Sequence, residues 1–276
     1  MWAILNAITN AFDVILTPFS RMEPAVGLLV ISVVTGVVML LIFGRTSNQK
    51  AITATKDKLK AYIMEMWIFR NDTRVMFGAI GNVVRNNIQY LRHSLRPLVF
   101  LLIPVLIIMV QLGIRYGFEP FTPGNEGVVR VDLEEGVRPT QVDISIEAPQ
   151  GIQLMSPALR MDQEGAIEWK FRAEIPGVHE LAILTPDGPV TKDVAVGPER
   201  TIRPLSEVRP RANTWDAFLY PAEPPLPGGT AVQAIHVSYP AREGTLFGLN
   251  VHWLLIFFVV SVAAGFALKG VFGIDV

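Results

Sequence analysis

The hydrophobic pattern divides this chain into uninterrupted apolar stretches, one helix-patterned polar segment and a run of short alternating segments. Ala25–Gly44 (AVGLLVISVVTGVVMLLIFG) carries no charge, and Pro97–Tyr116 (PLVFLLIPVLIIMVQLGIRY) and Leu249–Leu268 (LNVHWLLIFFVVSVAAGFAL) are nearly as apolar. At ~1.5 Å per residue, about twenty residues reach across a ~30 Å hydrocarbon core, so the pattern predicts three transmembrane helices. A helix buried in a soluble core would carry polar residues at a helical period, and these stretches barely do. Ahead of them, Leu5, Ile8, Phe12, Ile15 and Phe19 fall at helical spacing, with Asn6, Thr9, Asn10, Asp13 and Thr17 between them. That predicts an amphipathic helix over residues 1–20 lying in the membrane interface and ended by Pro18.

Residues 45–96 read as a helical hairpin. Ser47 is placed to cap a first arm carrying Ile52, Leu59, Ile63 and Met66, and Arg70-Asn71-Asp72 mark the turn. The second arm carries Met76, Ile80, Val83 or Val84, Ile88 and Leu91. A short turn forces the arms together, so the pattern predicts an antiparallel coiled coil. Residues 117–248 switch to period two. Val128–Leu133, Gln141–Glu147, Ala166–Ala173, His179–Leu184, Val190–Val196 and Ala231–Tyr239 alternate or are β-branched, with Pro and Gly between them. Such spacing predicts an all-β, immunoglobulin-like sandwich inserted between spans two and three, with Trp169 pointing inward. The run Tyr220–Pro227 (YPAEPPLP) is too rich in proline for a central strand and reads as a strap.

Composition agrees with a membrane protein: half of the residues are hydrophobic and 18% are charged. The net charge of −1 hides a sharp division. Residues 45–96 hold ten Lys or Arg against three Asp or Glu, whereas residues 117–250 hold eleven against nineteen. Basic residues near span ends stay in the cytoplasm. The hairpin and the tail 269–276 are therefore expected inside, and the N-terminus and the β domain outside. Cysteine is absent, which excludes disulfides and thiolate chemistry.

The sequence offers little for catalysis. His93, His179, His236 and His252 are scattered, and no phosphate loop, HExxH or GxSxG pattern occurs. The expectation is a non-enzyme with no cofactor and no metal. Polar residues within the spans carry more information, because hydrocarbon does not satisfy them. Ser32 and Thr35 share a face of the first span, Gln111 and Arg115 a face of the second, and Asn250 and Ser261 a face of the third. Two readings stand side by side. The faces converge on a weakly hydrophilic groove, or the hydroxyls bond their own helices, small residues mediate packing and Arg115 snorkels to the headgroups. On the hairpin, Lys56, Lys60, Arg70 and Arg74 suit anionic lipid or ribosomal RNA, and Met64 and Met66 suit an apolar helix. Topology and core filling are the plainer roles.

The order of parts resembles the YidC/Oxa/Alb insertase superfamily, in particular its minimal three-span branch of DUF106-like proteins and relatives in the ER membrane complex, Get and TMCO groups. The passage TGVVMLLIFGRTSNQKAITATKDKLKAYIMEM looks like that branch's junction of first core span and coiled coil. The likeness covers roughly half of the chain. It implies membrane-protein insertion or chaperoning in a cytoplasmic membrane, with nascent or unassembled membrane proteins as partners and the ribosome or anionic lipid meeting the hairpin. Two features differ from YidC-type insertases. The first span carries only Ser32 and Thr35 where they have a positive residue, and the large β domain sits between the second and third spans. A non-transporting scaffold, whose β domain binds an envelope partner, is the alternative.

Overall fold

The structure is a computed structural model that describes residues 2–19, 22–68, 73–242, 244–246 and 249–274. Helix α1 (Trp2–Leu16) runs into a 3₁₀ turn at Thr17–Phe19, and α2 (Pro24–Thr46), α3 (Gln49–Ile68) and α4 (Thr73–Tyr116) follow. Eleven strands, a short helix α5 (Thr214–Leu219) and α6 (Trp253–Leu268) complete the described elements. Trp2–Phe19, Pro24–Thr46 and Pro97–Tyr116 are long and apolar enough to cross a membrane, which makes this a membrane protein by length and composition.

Two of these helices differ from the pattern-based expectation. The expected third span starts four residues late: Leu249–Val251 is strand β11, paired with β10 (Gly244–Leu246), so α6 keeps 16 residues and reaches ~24 Å. Hydrophobicity is nearly blind to this boundary, because Leu249 and Val251 flank Asn250 and join the apolar run of α6. Helix α4 runs unbroken for 44 residues through Pro97 and Pro104, where the sequence suggests a hairpin arm and a separate span. Each proline removes one backbone bond, a loss that helices in apolar surroundings tolerate when local geometry adjusts.

Contacts divide the chain into two units, Met1–Gly27 with Met109–Trp253, and Leu28–Ile108 with Leu254–Val276. The first holds the β domain. One antiparallel sheet has the order β3-β5-β1-β9-β8 (Ile152–Leu154, Ala166–Ala173, Glu126–Leu133, Val232–Val237, Val208–Pro210), with β4 (Leu159–Met161) also on β5. A second has the order β2-β6-β7 (Ser145–Glu147, Gly177–Thr185, Gly188–Val196). Alternation follows the pleat: Val129, Val131 and Leu133 of β1, Trp169 and Phe171 of β5, Leu181 and Ile183 of β6, and Val194 of β7 meet in one core. Phe121 closes one end, edge-on to Phe171 with ring centroids 5.1 Å apart. The proline-rich strap ends in fully buried Leu226, whose N–H donates to Pro210 O at 2.8 Å.

Inside this domain Lys192 is 0% exposed and donates to Glu223 Oε1 and Ser206 O, each at 2.5 Å. Burial pushes the Lys192 ammonium down and the Glu223 carboxyl up, and each partner pulls the other back. The pair fastens the strap to β7.

Candidate functional site

Polar residues of the apolar helices fall into two groups, one in each unit. In α2, Ser32 is 0% exposed and donates to Leu28 O at 2.7 Å, one turn back along its own helix. Thr35 is buried beside it. In α6, Ser261 donates to Phe258 O at 3.1 Å. The two helices approach closely here. A Cβ on Gly36 would lie 2.2 Å from Ser261 O and 3.2 Å from Ala264 Cβ, so only glycine fits. Small residues allow such backbone contact, and packing then holds the helices together.

Beside that crossing lies an open groove of about 390 Å³. Helix α2 lends Thr35, Gly36 and Met39, α4 lends Leu101 and Leu102, and α6 lends Phe258 and Ser261. Thr35 and Ser261 bring the only side-chain hydroxyls to an otherwise apolar lining. Ser32 does not line it.

Gln111 and Arg115 belong to the other unit and meet α1. Arg115 is 1% exposed, and all five of its N–H groups donate. Its Nε reaches Asp13 Oδ1 at 3.2 Å, and one terminal nitrogen reaches Asp13 Oδ1 at 2.5 Å and Thr9 O at 3.0 Å. The other terminal nitrogen reaches Gln111 O at 2.9 Å and Gln111 Oε1 at 2.7 Å. Gln111 Nε2 in turn donates to Thr9 Oγ1 at 3.0 Å, and the Phe12 ring centroid lies 6.0 Å from the guanidinium carbon. Arg115 therefore neither snorkels nor offers a free charge.

The α1 face that makes these contacts is Leu5, Thr9, Asp13 and Leu16, while Ile4, Val14 and Ile15 are exposed. The helix thus turns Thr9 and part of Asp13 toward α4, while Asn6, Asn10 and Thr17 remain exposed. Sequence reasoning passed over Thr9 and Asp13. One signal was available: Asp13 is the only charge in Met1–Phe19, and Arg115 the only charge in Pro97–Tyr116.

Asn250 lies on β11 opposite Thr245, so its eleven-residue spacing from Ser261 is not helical and the two share no face. The hairpin residues are dispersed. Lys56 Nζ of α3 lies 5.9 Å from the Tyr90 ring centroid of α4, and neighbouring Thr55 is buried. Lys60 pairs with Asp57 at 3.6 Å in solvent, and Met64 is exposed. Met66 and Arg74 belong to α3 and α4, and Arg70 lies outside the described residues. Ile63, Ile80, Val84, Ile88 and Leu91, expected in a buried seam, are exposed, and Trp67 is 77% exposed.

The paired histidine positions serve the β domain. His179 Nε2 is 2.6 Å from Ile175 O, and its ring packs on Gly151, where φ is +104° and a Cβ would meet the imidazole at 2.4 Å. His236 on β9 lies 2.9 Å from Asp132 on β1. They stand on different sheets. No family model, no curated protein and no solved structure matches this chain.

Proposed function

We propose that the chain is a membrane-protein chaperone or insertase of the YidC/Oxa kind that shelters an apolar substrate helix. The observation that carries this reading is the open groove between α2, α4 and α6, about 390 Å³ and almost wholly apolar. A polar substrate flank gains little there. An apolar helix gains packing against the apolar lining. Hydrophobic burial does not drive association between helices already in lipid, so shape and small residues must supply selectivity.

In this reading α3 and the first half of α4 form a coiled-coil hairpin in the cytoplasm. Its exposed Ile63, Met64 and Trp67 meet the unassembled helix, and Lys56 and Lys60 face anionic lipid or ribosomal RNA. The β domain acts as an immunoglobulin-like module on the far side of a cytoplasmic membrane. A second reading, a non-transporting scaffold, is favoured by the saturated hydrogen bonds of Ser32 and Arg115, which leave these groups nothing to offer a substrate.

Site-specific photocrosslinking to ribosome-bound nascent membrane proteins separates the two. Probes at Met39 and Leu102 line the groove, and one at Val99 is exposed outside it. Substrate crosslinks at Met39 and Leu102 that exceed those at Val99 support chaperoning. Equal yields at all three positions, or capture of one fixed partner, would leave the scaffold.

A further inference from the structure

A second cavity, of about 360 Å³, opens at the last turns of the α4 span. Val110, Gly113, Leu219, Tyr220, Glu207 and Trp253 are among its walls. Val110 lies six residues before Tyr116, so the cavity reaches ~9 Å below the end of the span. Gly113 leaves the space open: a Cβ there would meet only the Trp253 ring, at 3.7 Å. With α4 crossing a bilayer, the deep wall lies at hydrocarbon depth, where the molecules at hand are lipids.

The upper wall belongs to the β domain and is pinned to the helix. Leu205 N–H donates to Ile114 O at 2.7 Å, which satisfies a carbonyl that the end of α4 leaves open. Leu219 and Tyr220 close α5 beside this junction. Leu219 is 45% exposed, and Trp215 is exposed with its ring centroid 6.0 Å from that of Phe218. An exposed Trp and Leu beside a half-buried Phe, next to the end of a span, is the composition found at membrane–water boundaries. Glu207, Tyr220 and His252 add hydrogen-bonding groups to the cavity's rim.

We infer that this cavity binds one phospholipid of the leaflet on the β-domain side, its acyl chain between Gly113 and Trp253 and its headgroup region at Tyr220. The exposed face of α5 rests on the same leaflet. This inference needs α4 to cross the bilayer and does not depend on the chaperone reading.

The absence of cysteine allows single reporters in the full chain. Leu219→Cys and Gln163→Cys are each labelled with a fluorophore and placed in nanodiscs containing brominated phospholipid. Gln163 is exposed in the turn beside Leu133, at the other end of β1 from Phe121. Quenching several-fold stronger at position 219 than at 163 is expected, and equal quenching overturns the inference. Native mass spectrometry after delipidation tests the cavity: the unsubstituted chain should retain one phospholipid that Gly113→Leu loses. Equal retention by the two, or none by either, overturns the site. The thermal transition of Gly113→Leu, measured alongside, must match that of the unsubstituted chain for loss to count as support. Ala at Gly113 is the smaller substitution that keeps the comparison open if Leu unfolds the chain.

Discussion

Ser32 and Ser261 donate to carbonyls of their own helices, at 2.7 and 3.1 Å, whereas Gln111 and Arg115 reach across to another helix. The difference comes from side-chain length. A serine hydroxyl reaches the carbonyl one turn back and no farther, so it demands nothing of its neighbours. A guanidinium with five donors exhausts what its own turn provides, here only Gln111, and must recruit Thr9 and Asp13. Short polar groups in apolar helices therefore permit close packing, and long ones name a partner.

The comparison can be strained hardest in the β domain, where Lys192 is another long cation satisfied by tertiary partners. Lys192→Met leaves Glu223 buried without its cation and should cost about 3–5 kcal/mol. The double variant with Glu223→Leu should recover most of that loss in the same denaturation series. Arg115→Leu should come next, at roughly 2–3 kcal/mol, because Gln111 and the Thr9 carbonyl lose donors while half-exposed Asp13 regains water. The expected readout is faster proteolysis between α1 and α2, and adding Asp13→Leu should relieve little of it.

Gly36→Leu tests the opposite arrangement. Its Cβ cannot sit 2.2 Å from Ser261 O, so α2 and α6 must part at a cost of about 1–3 kcal/mol, seen as a lowered thermal transition in detergent. Ser32→Ala, which removes a bond made within one helix, should change stability by less than ~0.5 kcal/mol. A large effect there would mean that the hydroxyl serves something outside its helix.

The smallest expected effect concerns an exposed group. Lys170 first, then Arg172, hold the Glu126 carboxyl below its ordinary range. A depressed carboxylate contributes stability that is present above its unfolded pKa and lost as pH falls through the folded one. Glu126→Gln should therefore lower stability slightly at neutral pH and leave it unchanged below the folded pKa, which flattens the acid limb of the profile.

Sequence patterning was strong where an element is long. The first span, helix α3 and strands β1, β5 and β7 appear within a few residues of where the sequence pattern puts them, since eight or more residues display a pattern. Strands β3, β4, β8, β10 and β11 are three residues each, too short to show alternation, and β11 took the start of the expected third span. Polar residues within apolar runs stand out in the sequence, yet their grouping is not readable from it. Facing positions on separate helices depend on rotation and depth, which a periodic pattern leaves free. The sequence by itself determined that this is a membrane protein with a basic, helix-forming segment and a β domain, because hydrophobic run length and strand alternation are local properties. Only the tertiary structure decided that Arg115 belongs to α1, that Gly36 seats Ser261, and that the groove is apolar. Those are pairings between distant segments, set by which side chains can satisfy or fit one another in three dimensions.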